Sequence, residues 1–255
     1  MAKTAFSRKT GEVDMTMPAT STSQSTSQST SPSKHGPQSA NEMIVDVWSD
    51  VVCPWCFIGK RRLEKGIAEI KSAHPEVEVK VRHRAFQLQP DIEGVVPTKE
   101  HLAEKYNIDK DKVSAMQANV CSIADGEGLC YDLENTLSGN TMDAHRVLKW
   151  AESSGDAQEL LEKMYSAYFE QSRPLFTHED ILAITDEVGL DHASVVAVLI
   201  SDHYRDFVLQ DQDIARQLGA NGVPFFVIDM KYGISGAQPE EVFTQTLETA
   251  LAEKS

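Results

Sequence analysis

Four cysteines stand in this chain of 255 residues, and two of them, Cys53 and Cys56, are separated only by Pro54 and Trp55. A Cys-x-x-Cys pair either opens and closes a disulfide or supplies half of a tetrahedral zinc site. Zinc requires two further ligands at suitable spacing. The remaining cysteines, Cys121 and Cys130, lie far along the chain, and the histidines show no His-Glu-x-x-His or comparable pattern. No metal site is therefore expected. The pair points to thiol–disulfide exchange, with no cofactor beyond the redox-active cysteines themselves.

The roles within the pair follow from position. Cys53 stands after an apolar run and directly before Pro54, a residue that a helix accepts readily only in its first turn. At that place a sulfur meets unpaired backbone N–H groups and the positive end of the helix macrodipole. Both favour the thiolate, which is the nucleophile. Cys56 follows about one turn later, where it is expected to be deeper and less exposed and to resolve the mixed disulfide. Trp55 is expected to sit exposed beside them and to offer a flat apolar contact to the substrate. A second piece is Gly222-Val223-Pro224. An extended substrate needs a backbone edge near the sulfurs, and a cis peptide before proline supplies one at little cost. Proline opening a strand is also compatible with a trans bond. The upstream Cys-Pro-Trp-Cys favours cis, with Val223 and Pro224 as substrate-binding residues.

These side chains need a strand–helix framework. Ile44-Val45-Asp46-Val47-Trp48 reads as a buried strand. Beyond the cysteines, Cys56, Leu63, Ile67 and Ile70 fall on one helical face. From Val77 to Phe86 the pattern begins with Val77, Val79 and Val81 alternating with Glu78, Lys80 and Arg82, a half-buried strand. From about Pro97 to Gly219 no strand is predicted. Amphipathic helices are predicted over Lys99–Tyr106, Asp109–Ala124, Met142–Ser153, Ala157–Gln171, His178–Val188 and, with a break, His192–Leu218. Gly222 to Asp229, a strand entered through Pro224, resumes the sheet, a turn near Asp229–Lys231 leads into Tyr232–Ser235, and a final helix carries Val242, Phe243, Leu247 and Leu251.

The expected class is thus α/β: a sheet domain over 43–96 and 220–255, interrupted by an all-helical insertion over 97–219. Residues 1–42 include a Ser/Thr/Gln-rich stretch that buries too little apolar surface to offset ordering entropy, and a disordered tail is expected there. The first residues contain no apolar stretch of the signal-peptide kind, which gives the cytoplasm as the expected location. The net charge of −15 argues against a nucleic-acid partner, and no apolar run is long enough to cross a bilayer.

Taken together, the residues resemble the DsbA-type thioredoxin-like oxidoreductases, in particular their FrnE-like branch. The resemblance runs from Met43 to the C-terminus. It is carried by Ser49-Asp50 with Cys53-Pro54-Trp55-Cys56, by Phe86-Gln87-Leu88, by Asn140-Thr141 with Ala144-His145-Arg146, and by Ala167-Tyr168-Phe169. Gly222-Val223-Pro224-Phe225-Phe226 and Ser235-Gly236-Ala237-Gln238-Pro239 complete it. It implies a thioredoxin-like fold with a helical insertion, Cys53 and Cys56 as the active pair, and Pro224 as a cis-proline. The partners implied are proteins bearing thiols or disulfides, with glutathione as a candidate co-substrate. The branch is similar to 2-hydroxychromene-2-carboxylate isomerases and kappa-class glutathione transferases, which usually carry serine at the nucleophile position. The chain departs from the family at Ser172-Arg173-Pro174-Leu175, where relatives tend to have an acidic and an aliphatic residue. An isomerase or glutathione-conjugating enzyme on the same fold, or a redox-controlled chaperone, is the alternative function.

Asn140 and His145 are the candidates to line the substrate cleft from the insertion. Asn140 is equally suited to capping a helix and His145 to packing. His83 and Arg84 are expected at the surface. The backbone of Ser235-Gly236 either receives a glutathione carboxylate or merely begins the last helix. Cys121 and Cys130 flank a segment with Gly126 and Gly128 that is expected to end a helix and turn the chain. They are read chiefly as buried packing residues, with an auxiliary disulfide as the alternative.

Overall fold

The computed structural model describes residues 41–254; the tail expectation for residues 1–40 lies outside them. The apolar run becomes β1 (Glu42–Ser49), beginning one residue before the expected Met43. Helix α1 (Pro54–Ala73) follows with Cys53 as its N-cap and Pro54 at its first position, and the stripe Cys56, Leu63, Ile67 and Ile70 is buried as its spacing predicts. The alternating segment forms β2 (Glu78–Ala85), parallel to β1 with Val45 opposite Val81.

The long stretch after β2 is helical except at one point. A two-residue strand β3 (Val96–Pro97) precedes α2 (Thr98–Tyr106) and α3 (Lys110–Gly126), then pairs antiparallel with β4 (Leu137–Ser138). This corrects the expectation of no strand there, since a ladder this short carries no period for a sequence to display. Then come α4 (Met142–Ala151), α5 (Ala157–Gln171), α6 (His178–Val188), α7 (His192–Leu199) and α8 (Arg205–Gln217). Asp109 caps α3, and Thr177 and Asp180 form a reciprocal capping box on α6. The break expected within 192–218 falls between α7 and α8, where Tyr204 takes a φ of 67°. The chain returns through β5 (Phe225–Ile228), β6 (Tyr232–Ser235) and α9 (Glu240–Ala252).

The main sheet has the order β2-β1-β5-β6, with β5 antiparallel to both β1 and β6. Its two faces bury different sets. On one, Val45, Phe226 and Ile228 pack with Leu63 and Ile70 of α1 and with Phe243 and Leu247 of α9. On the other, Trp48, Phe225 and Val227 pack with Ala215 of α8. A third core joins the first turn of α1 to the insertion: Cys53, Cys56 and Phe57 share it with Leu148 of α4, Tyr165 and Phe169 of α5, and Ile181 of α6. The N-terminal end of α1 is therefore held by helical neighbours rather than left at the rim of the sheet. This is a thioredoxin-like α/β fold with a helical insertion.

Candidate active site

Asp50 begins the site. Its backbone carbonyl accepts from Cys53 N at 3.0 Å, closing the turn that ends β1 and presents Cys53 at the head of α1. The thiol of Cys53 lies 3.5 Å from the carbonyl oxygen of Val223 and donates to it. The Val223–Pro224 peptide is cis, and Pro224 O accepts from Gly236 N at 2.8 Å. That bond uses one of the Ser235-Gly236 amides, for which a glutathione carboxylate was one of two readings. Gly236 here extends the β5–β6 pairing by one hydrogen bond beyond Ser235. Close approach of α1 to this loop depends on Gly59, where a Cβ would lie 3.1 Å from Pro224 Cγ and 3.0 Å from Phe226 Cζ.

The expected contrast in depth between the two cysteines is absent in exposure: Cys53 is 3% exposed and Cys56 2%. They differ instead in what they face. Cys53 borders a mostly apolar cleft of about 310 Å³ that Cys56 does not line. Val52, Pro54, Trp55 and Val223 contribute to this cleft beside Cys53, and Leu102, Met116 and Val120 contribute from α2 and α3. Trp55 is half-buried in its wall rather than exposed, because it also packs on the core of the insertion. Burial pushes the Cys56 thiol well above its ordinary range, and the neighbouring Cys53 adds to the effect.

Residues the sequence argument passed over hold the helix end in place. Tyr131 donates its hydroxyl to Pro54 O at 2.8 Å, and its ring stacks on Phe169 with centroids 5.0 Å apart. Phe57 of the first turn stacks on Tyr165 at 4.9 Å. Desolvation raises the phenol of Tyr165, and raises that of Tyr168 to about 12, so both rings stay neutral. Ala167-Tyr168-Phe169 was visible only as part of a resemblance, since aromatics at helical spacing signal a core and not what the core touches.

Beneath the cysteines is a polar tier. Asp50 accepts from His145 Nε2 at 3.3 Å through one oxygen and from Leu88 N at 2.7 Å through the other. His145 is stacked on His83 with ring centroids 5.8 Å apart, and His83 Nδ1 shares a hydrogen bond of 3.1 Å with Ser49 Oγ. The expectation that His83 lies at the surface is corrected: it is 3% exposed. It alternates with residues that face away, and only the helices packed across β2 determine which face is covered. Arg84 is half-buried, bonded to Asp46 and Asp211.

Asn140 does not line the cleft. Its side chain accepts from Gln87 Nε2 and from Met142 N, and donates to Pro90 O, so it ties the turn before α4 to the segment after β2. His145 likewise faces Asp50, not the cleft. Cys121 and Cys130 are both free thiols. Cys130 is exposed and Cys121 half-buried, so the expectation that both are buried packing residues does not hold. The helix does end at Gly126, but Cys130 lies past the turn, where it is exposed among the described residues. Among the described residues no group of three or more His, Cys, Asp or Glu is placed to hold a metal ion, and no helix is long and apolar enough to cross a membrane.

Comparison with known proteins adds to this geometry. Residues 44–248 match the family model of the DSBA-like thioredoxin domain. The crystal structure of a probable DsbA oxidoreductase from Streptomyces coelicolor is 40% identical, with 84% of this chain and 92% of that one covered and a TM-score of 0.78. The uncharacterized protein YwbO of Bacillus subtilis is 25% identical over 205 residues, which is 80% of this chain and 94% of the relative. The cytosolic disulfide reductase DsbM from Pseudomonas aeruginosa, in a structure with GSH, shares the fold at 16% identity. Its TM-score is 0.56, with 82% of this chain and 99% of that one covered.

Proposed function

The chain belongs to the DSBA-like thioredoxin domain family, and on that premise we propose that it is a FrnE-like thiol–disulfide oxidoreductase with Cys53 as nucleophile and Cys56 as resolving cysteine. One observation carries the reading. The Cys53 sulfur, at the head of α1, lies against the Val223 carbonyl at the edge of an apolar cleft, while Cys56 is kept out of that cleft.

In the reducing direction, the Cys53 thiolate attacks one sulfur of a substrate disulfide. A Cys53–substrate disulfide forms, and the other substrate sulfur leaves as a thiolate that takes up a proton. Cys56 then loses its proton and attacks Cys53 Sγ, the Cys53–substrate bond breaks, and the second substrate thiolate is released. Two electrons pass from the enzyme dithiol to the substrate. The oxidising direction is the reverse. The cysteine pair is itself the redox group, so the reading invokes no metal or organic cofactor.

The apolar walls favour substrates in which the reacting sulfur is flanked by apolar groups, as in unfolded protein segments. The fold shared with a reductase in a structure with GSH supports glutathione as a further partner. The fold shared with a cytosolic disulfide reductase supports the cytoplasm as the compartment. Cysteine at both motif positions favours exchange over the isomerase and conjugating chemistries of the serine-bearing relatives. The division into 43–96, 97–219 and 220–255 is retained as the domain proposal, with α8 packed back onto β1 and β2.

The test is trapping. Cys56→Ser, exposed to oxidised glutathione or a disulfide-bearing client, is expected to accumulate a mixed disulfide at Cys53, and Cys53→Ser to accumulate none. Equal trapping through Cys56 in the Cys53→Ser protein would overturn the assignment of roles.

A further inference from the structure

The cleft beside Cys53 has apolar walls at the sulfur and polar groups contributed by α2, α3 and β4. Most of those polar groups are engaged within the protein. Thr98 Oγ1 and Ser138 Oγ share a hydrogen bond of 3.0 Å, and Thr136 Oγ1 donates to Leu133 O at 2.9 Å. Gln117 Nε2 donates to the same carbonyl at 3.0 Å, and Tyr168 donates its hydroxyl to Leu137 O at 2.6 Å. Lys105, in the last turn of α2, is the charged exception. Among the described residues it is the one lysine or arginine that lines the cleft, and no Asp or Glu lines it. Its ammonium has no carboxylate partner among them either. It lies 6.0 Å from the centroid of the Tyr106 ring, at the outer limit of cation–π attraction.

We propose that Lys105 is a specificity-determining residue of the exchange, giving preference to disulfides that carry a carboxylate beyond an apolar group on the reacting sulfur. The inference rests on the reading of Cys53 as the nucleophile. The apolar group packs against Trp55 and Leu102, and the carboxylate meets the Lys105 ammonium. A cleft of about 310 Å³ falls within the ordinary range of small-ligand sites, about 300–1,000 Å³. The bond changes are those of the exchange itself. A bond forms between Cys53 Sγ and the near sulfur, the substrate S–S bond breaks, and the far sulfur leaves as a thiolate with the electron pair. The carboxylate keeps its charge throughout. Such a group is carried by small amino-acid thiols and by Asp or Glu beside a protein cysteine.

The charges around Lys105 leave it open to a partner from outside. Glu104 precedes it in sequence but lines no part of the cleft, and Glu100 is bonded to Lys110. With 39 acidic residues against 24 basic ones, lysines of this chain readily find carboxylates. Lys60 and Lys65 of α1 each meet two glutamates. The long lysine stem lets the ammonium stay hydrated until a ligand arrives and then reach it without a change of fold. A cation in a last turn also complements the helix macrodipole, but that role acts on α2 and is blind to the charge of the substrate.

Two aromatic disulfides separate the roles: 5,5′-dithiobis(2-nitrobenzoate), which carries carboxylates and releases thionitrobenzoate, and 4,4′-dithiodipyridine, which is uncharged above neutral pH. Each is mixed with the reduced full-length protein, and release of its chromophoric thiol is followed. Release from Cys53→Ser gives the background of the other thiols, exposed Cys130 among them, and is subtracted. The ratio of the two rates, carboxylate reagent over uncharged, is expected to fall roughly threefold or more in Lys105→Gln, to fall further in Lys105→Glu and to be retained in Lys105→Arg. The gap in ratio between wild type and Lys105→Gln should narrow at about 1 M salt, where the Debye length is about 3 Å. An unchanged ratio in Lys105→Gln, an equal fall in Lys105→Arg, or a gap that salt does not narrow would each overturn the proposal. Oxidised glutathione and a disulfide-linked peptide with Glu beside its cysteine then identify the source of the carboxylate. Slowing of one or both in Lys105→Gln supports the proposal, and slowing of neither overturns it. If wild type showed no release above the Cys53→Ser background with either reagent, the reading of Cys53 itself would fall, an outcome distinct from failure of Lys105.

Discussion

Replacing Gly59 by alanine sets two effects of known size against each other at the point where α1 meets the Val223–Pro224 loop. Gly59 is inside a helix of 20 residues, where alanine is favoured over glycine by about 1 kcal/mol. Opposing this, the new methyl would lie 3.0 Å from Phe226 Cζ and 3.1 Å from Pro224 Cγ, tighter than ordinary carbon contacts of about 3.5–4.0 Å. Phe226 is fully buried and set edge-on against Phe243 with centroids 4.8 Å apart, so it has little room to yield. Overpacking of this kind costs about 1–3 kcal/mol. The penalty outweighs the propensity gain, and Gly59→Ala is expected to be destabilised by about 1 kcal/mol net, or about 2–4 °C in Tm for a chain of this size.

The way the strain is relieved decides the functional effect. The proline ring is the more movable of the two neighbours, so the Val223 carbonyl should shift away from Cys53 and disulfide exchange should slow more than the small stability loss explains. Thermal unfolding and thionitrobenzoate release, measured on the same preparations, test both parts. A variant stabilised by the full ~1 kcal/mol of helix propensity, with unchanged exchange rates, would refute the close packing of α1 on the proline loop.

Two further outcomes concern buried charge. Asp46 is fully buried and bonded to Arg82 and Arg84 at 2.6 and 2.8 Å. Breaking a buried pair costs about 3–5 kcal/mol, and because both arginines retain contact with water the lower end is expected for Asp46→Ala, read as a fall in the urea midpoint. His83 has its folded-state pKa pushed below the ordinary histidine value by burial and neighbouring cations. The unfolded chain therefore takes up this proton first as pH drops. The stability His83 contributes is present above about pH 6.5 and is lost as pH falls below it. Unfolding midpoints measured across this range should decline more steeply for wild type than for His83→Gln, and identical slopes would contradict the depressed pKa.

The sequence by itself determined the family and nearly all of the framework. Cys53-Pro54-Trp55-Cys56 after a β-branched run specifies a dithiol at the head of a helix, because proline belongs in a first turn. The helices of the insertion were legible within a few residues, since the 3.6-residue period and the caps at Asp109 and Thr177 are set by neighbours at most four positions away. Tertiary structure decided which polar side chains are covered. Asp46 reads as an interruption in an apolar strand until Arg82 and Arg84 arrive from a strand 36 and 38 residues later. His83 reads as one of several alternating polar residues until α4 and α5 close over it. At the site the carbonyl facing Cys53 comes from a residue 170 positions away, and Gly222-Val223-Pro224 was legible as that neighbour only because Cys-Pro-Trp-Cys stands upstream. Local pattern records the periodicity of a segment, but burial and pairing are properties of the surfaces that meet it. A histidine pointing to solvent and one buried beneath helices are, within their own segments, the same sequence.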